Sequence, residues 1–146
     1  MRKEIGTVIV KMLENLGIPS FIAGSTRLGI NISTSDVDVY AFVLYNHNDQ
    51  KSRENPKIFC DVLTSLGFVG QKGRDAEDVY RWGNIEIVEY RNREKFEKEN
   101  EFYNLVEHFL NENPLYRDVA YDMKLDGIEG QKIFKYLIKI ASFHKV

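Results

Sequence analysis

Residues 21–43 read FIAGSTRLGINISTSDVDVYAFV, and the rest of the chain is interpreted outward from them. The stretch opens on an apolar run, Phe21-Ile22-Ala23, that stops at Gly24-Ser25. A polar segment follows and ends in the turn formers Ser33-Thr34-Ser35. Then Asp36-Val37-Asp38-Val39 alternates acid and apolar residues ahead of Tyr40-Ala41-Phe42-Val43. Alternation with period two predicts a strand with one buried face, which puts Asp36 and Asp38 on one side and Val37 and Val39 on the other.

Two carboxylates on one strand face repel each other, so they add little to a purely structural strand. Their Cα atoms would stand roughly 6.5–7 Å apart, twice the strand rise. From there the side chains can converge on divalent ions, which lie roughly 3.5–4 Å apart in paired-metal phosphoryl sites. Hard oxygen ligands suit Mg²⁺ or Mn²⁺, whereas Zn²⁺ more often comes with His or Cys. Gly24-Ser25 supplies the complementary half, because a glycine lets the backbone come close to an approaching group. A helical turn over residues 26–28 would aim free N–H groups at an anion. An anion cradle beside a cation site is what a nucleoside triphosphate and its metal require.

Gly24-Ser25, Gly29 and Ser35-Asp36-Val37-Asp38 together resemble the Gly-Ser…Asp-x-Asp signature of the nucleotidyltransferase superfamily related to DNA polymerase beta. More narrowly, GSTRLGINISTSDVDVY is similar to a segment of an uncharacterised bacterial family, domain of unknown function 4269. That segment runs Gly-Thr-x-Pro-x-Gly-Ile-x-x-x-x-Ser-Asp-Leu-Asp. Its proline position is taken here by Arg27 or Leu28, depending on the alignment, so the cradle departs from the family's shape. The signature covers about a sixth of the chain.

The flanks agree with that context. Ile5, Val8, Ile9, Met12, Leu13 and Leu16 form one stripe of an amphipathic helix closed by Gly17 and Pro19. The resemblance implies a helix leading into the Gly-Ser strand in this way. Residues 45–55, YNHNDQKSREN, read as a polar surface loop. Asn55-Pro56 predicts a helix start, with Ile58, Phe59, Val62, Leu63 and Leu66 on one face up to Gly67. Phe68-Val69 predicts a short strand interrupted by the loop at 70–75, which is read as a flexible turn ahead of a phosphate contact.

Residues 78–82 and 85–91 predict a hairpin joined by Gly83-Asn84. Its second strand places Glu86 between Ile85 and Ile87, an odd choice unless the face Glu86 points to is functional. In the superfamily a third acid arrives on a later strand, and the narrower family carries Ile-Glu-Ile-Phe at the matching place. The resemblance therefore implies Glu86 as the third carboxylate. Glu89 is the fallback, on the opposite face by alternation. From Arg93 the periodicity is helical, with Phe96, Phe102, Leu105, Val106, Phe109 and Leu110 in a stripe. Asn113-Pro114 breaks it, and residues 116–123 and 130–143 predict further helices. His108 reads as a packed or solvated helix residue, since no companion His or Cys points to a metal.

These elements predict one mixed α+β domain: a helix-plus-sheet core over 1–92 and C-terminal helices over 93–146. Its 146 residues suffice for a real core, and 43% hydrophobic with 29% charged residues is ordinary for a globular protein. A net charge of −2 excludes a global basic field for nucleic acid. Lys72, Arg74, Arg81, Arg91 and Arg93 interleave with Tyr80, Trp82 and Tyr90, a pattern that can track a single strand or simply cover a sheet face. Cys60, the single cysteine, reads as a small hydrophobe. No apolar run suits a membrane span and residues 1–16 do not look like a secretory leader, so the expected location is cytoplasmic.

The resemblance implies nucleotidyl transfer. Asp36, Asp38 and Glu86 would hold Mg²⁺ or Mn²⁺, with Glu86 also easing the acceptor hydroxyl's proton away. Gly24 and Ser25 would hold the nucleoside triphosphate. Arg27 reads both as a phosphate clamp and as an exposed loop cation. Ser35 belongs with the nucleotide-binding candidates, though its hydroxyl suits a turn bonded to backbone. The expected acceptor is a small molecule or protein rather than nucleic acid. The alternative is a degenerate nucleotide-binding module of the same fold, and behind it a structural domain whose acidic strand merely faces solvent. The enzymatic reading requires the three acids to converge beside the Gly-Ser bend.

Overall fold

A computed structural model describes residues 2–32, 35–72 and 78–144. The apolar stripe of residues 5–16 folds as α1 (Arg2–Asn15), which feeds β1 (Ser20–Ala23). The chain then turns at once into the five-residue α2 (Gly24–Leu28) and returns through β2 (Val37–Phe42). After β2 come α3 (Gln50–Arg53) and α4 (Asn55–Ser65), then β3 (Val69–Lys72), β4 (Asp78–Trp82) and β5 (Ile85–Tyr90). Three helices complete the chain: α5 (Arg93–Glu112), α6 (Pro114–Leu125) and α7 (Gly130–His144).

The strands form a five-stranded mixed sheet in the order β1-β2-β5-β4-β3. Only β2 and β5 pair in parallel, at the centre, and every other neighbour is antiparallel. This is the mixed α+β architecture predicted from the pattern of elements. Alternation gives each central strand two buried faces of different content. Val39, Ala41 and Ile87 face α1 and α4, where Ile9, Leu13, Phe59 and Leu63 complete one core. Phe42 and Tyr90 face the other way against Phe96 of α5. A second, larger core, with Leu110, Ile133 and Leu137 fully buried, binds α5, α6 and α7 to one another and to Ala23 and Leu28.

Three local expectations need correction or narrowing. The polar run at 45–55 is not all loop. Asp49 accepts from the Lys51 N–H, and the buried Ser52 hydroxyl donates to the carbonyls of Asn46 and Asp49, which winds α3. Gly70 does not interrupt β3: it is a strand residue, and a Cβ there would press on the Tyr80 ring at 3.0 Å. The rest of that loop, 73–77 with Arg74, lies outside the described residues, as do Ser33 and Thr34 and the side chain of Lys72. Finally, β2 starts at Val37, so Asp36 stands just before the strand rather than in it. No helix among the described residues is long and apolar enough to cross a membrane.

Candidate active site

The site is assembled by strand register. Asp38 lies opposite Glu86 across the parallel pair β2–β5, so the two carboxylates leave the same sheet face side by side. Asp36 is held at the mouth of β2 from two directions: Thr26 donates to its carbonyl at 3.3 Å, and the Val37 N–H bonds Asn84 O at 2.7 Å. One oxygen from each of Asp36, Asp38 and Glu86 lies within 4.8 Å of the others. Glu89, the fallback acid, is directed to the opposite face, fully buried and paired with Arg91 at 2.7 Å.

The Gly-Ser bend abuts this cluster. Ala23, the last residue of β1, pairs with Asp38, and Gly24 follows with φ 67°. A Cβ at Gly24 would overlap the Asp38 carboxylate, so the close approach requires glycine here. Tyr103 of α5 meets Tyr40 edge-on, ring centroids 6.0 Å apart, and both line the same cavity as Gly24. Burial raises the Asp38 carboxyl to about 6, and the charges of Glu86 and Asp36 push the same way while Lys124 and Arg81 pull back.

Two cations complete the site. Lys124, in the last turn of α6, reaches 99 residues back to donate to Ser25 Oγ and 89 back to Ser35 Oγ, both at 3.3 Å. Ser35 also accepts from the Ile32 N–H at 2.9 Å, so its hydroxyl is both a turn former, as its type suggests, and a partner of Lys124. Arg81 of β4 lies opposite Glu86 in the antiparallel register and forms ion pairs with Glu86 and, at 3.4 Å, with Asp36. The acids, Gly24, Ser25 and Lys124 line a cavity of about 720 Å³ between the sheet and the C-terminal helices. Phe102, Phe134 and Ile138 line it as well. That volume is within the range of nucleotide-sized ligand sites.

Arg27 is not brought to this cavity. Its guanidinium bonds Asn100 and Asn104 of α5, lies 3.8 Å from Glu107, and sits 5.4 Å from the ring centroids of Phe21 and Tyr103. It fastens α2 to α5. The hairpin cations are engaged too: Arg91 with Glu89 and Asp78, and Arg93 over the Phe42 ring. Sequence reasoning missed Lys124 altogether. Nothing local marks it among 20 lysines and arginines, since its role depends on a fold-back of nearly a hundred residues.

At least three solved structures share the fold. One is Cid1 in complex with the UTP analogue UMPNPP, at TM-score 0.57 and 12% identity, over 84% of this chain and 36% of that one. A second is a cytoplasmic RNA terminal U-transferase, at 0.54 and 14%, over 82% and 36%. The third is terminal uridylyl transferase 4 from Trypanosoma brucei with bound UTP and UpU, at 0.56 and 15%, over 93% and 52%. The chain thus has the nucleotidyltransferase fold and spans about a third to a half of these proteins' lengths. No family model and no curated protein matches the sequence, so the similarity to domain of unknown function 4269 rests on the residues quoted above.

Proposed function

We propose that the chain is a metal-dependent nucleotidyltransferase, moving a nucleoside monophosphate from a nucleoside triphosphate to an acceptor hydroxyl with release of pyrophosphate. The observation that carries this reading is the convergence of three carboxylates within 4.8 Å, in the same cavity as Ser25 and Lys124. An all-oxygen donor set of this kind fits Mg²⁺ or Mn²⁺. The raised Asp38 carboxyl supports the fit, because burial and then the Glu86 and Asp36 charges raise it, and a bound cation offsets both. Asp36, Asp38 and Glu86 would hold the ion, which when bound neutralises charge on the triphosphate.

The remaining work belongs to the chain's own residues. Gly24 and Ser25 hold phosphate oxygens by backbone and hydroxyl, and the Lys124 ammonium, already on Ser25, adds a point charge to the same anion. The nucleoside rests against Phe102, Phe134 and Ile138 at the apolar part of the cavity. Glu86 takes the proton of the acceptor hydroxyl as its oxygen bonds the α-phosphorus and the α–β bridging bond breaks toward pyrophosphate. The hairpin guanidinium Arg91 is tied up in ion pairs with Glu89 and Asp78, which favours a small-molecule or protein acceptor over a nucleic-acid strand.

Incubation with each labelled nucleoside triphosphate and Mg²⁺ or Mn²⁺ tests the reading. Pyrophosphate release that disappears in Asp38→Ala is expected. Tight triphosphate binding with no release under any condition would instead favour a degenerate nucleotide-binding module, a reading supported by the Arg81 ion pairs on two of the three acids.

A further inference from the structure

Among the described residues, Arg81 is the one cation placed on the carboxylates from within the sheet itself. Register sets it opposite Glu86, and its fork reaches both Glu86 and Asp36 from that position. Its side chain is 40% exposed, so it has room to turn outward to solvent. A guanidinium and a divalent ion drawn to the same two carboxylates compete for oxygen lone pairs and repel each other. Lys124 differs: its hydrogen bonds go to Ser25 and Ser35, beside the acids rather than on them.

We infer that Arg81 is an internal counter-ion of the metal seat, holding Asp36 and Glu86 together in the metal-free protein and having to swing away for a divalent cation to bind. The inference rests on the metal-site reading above and adds a regulator to it. Arg81 keeps like charges from splaying β2 and β5 apart, and in doing so it lowers the affinity of the seat. Both effects come from the same two ion pairs, so removing them should loosen the metal-free fold and tighten the metal.

Calorimetric Mn²⁺ titrations and melting curves, with and without Mn²⁺, test this without any turnover assay. Wild type is compared with Arg81→Gln, Arg81→Lys and, as a site control, Asp38→Asn. Arg81→Gln is expected to bind Mn²⁺ about five- to tenfold tighter, the effect of losing two partly exposed ion pairs. It should also melt lower than wild type without metal and gain more from Mn²⁺. Arg81→Lys keeps the charge but not the fork, so it should fall between the two, and it carries the test if the glutamine variant does not fold. Equal or weaker Mn²⁺ binding by the Arg81 variants, with binding lost in Asp38→Asn, overturns the counter-ion role and leaves the metal site standing. Absence of Mn²⁺ binding in wild type and all variants overturns both.

Discussion

Asp38 is where charge is most crowded, since burial and two neighbouring carboxylates act on it together. Replacing it with asparagine removes a required ligand, so Mn²⁺ binding should be lost and transfer should fall by about a hundredfold or more, read by calorimetry and pyrophosphate release. Gly24 tests the same neighbourhood sterically. Gly24→Ala must displace the Asp38 carboxylate and also adopt φ 67°, so it should destabilise by about 1–3 kcal/mol in denaturant titrations and weaken Mn²⁺ binding. Lys124 tests the anion half. Lys124→Met should weaken triphosphate binding about tenfold while tightening Mn²⁺ binding modestly, because its hydrogen bonds go to hydroxyls but its charge also acts on Asp38.

Single elements carry two further tests. Arg27 ties α2 to α5 through asparagines and two aromatic rings. Arg27→Ala should cost about 1–3 kcal/mol of stability yet hardly change triphosphate binding; a large loss of binding with intact stability would restore the clamp role. On the far face of β5, burial pushes the Glu89 carboxyl above its usual 4.5, against the pull of Arg91. A carboxyl raised in the folded state takes up a proton on folding, so its contribution to stability falls as pH rises above about 4.5 toward the raised value. Melting temperature should therefore decline less steeply as pH rises above about 4.5 in Glu89→Gln than in wild type.

For the molecule as a whole, the cavity exists because α5–α7 are held over the acidic end of the sheet. Leu137 is fully buried where α7 meets that layer. Leu137→Ala should cost about 2–5 kcal/mol and loosen the wall carrying Phe134 and Ile138, reducing nucleotide affinity with the three carboxylates untouched.

How much of this was legible beforehand follows from the range of each signal. Asp36 and Asp38 could be named because strand alternation is local, a period of two that a few residues display in full, and Glu86 because an acid between two isoleucines fits the family resemblance. The helices α1, α4, α5 and α7 were legible for the same reason, as stripes with period 3.6 and Gly or Pro stops. α3 was not, since its turn is wound by side-chain bonds within a polar run that carries no periodicity. The sequence by itself determined the mixed class, through its order of helical and strand patterns, and the acids available for a cation. Only the tertiary structure decided that Asp38 meets Glu86 across a parallel pair, that Arg81 sits on two acids, that Arg27 turns to α5, and that Lys124 returns to Ser25. Those are pairings between distant segments, and cross-strand register and helix docking leave no mark on the residues between them.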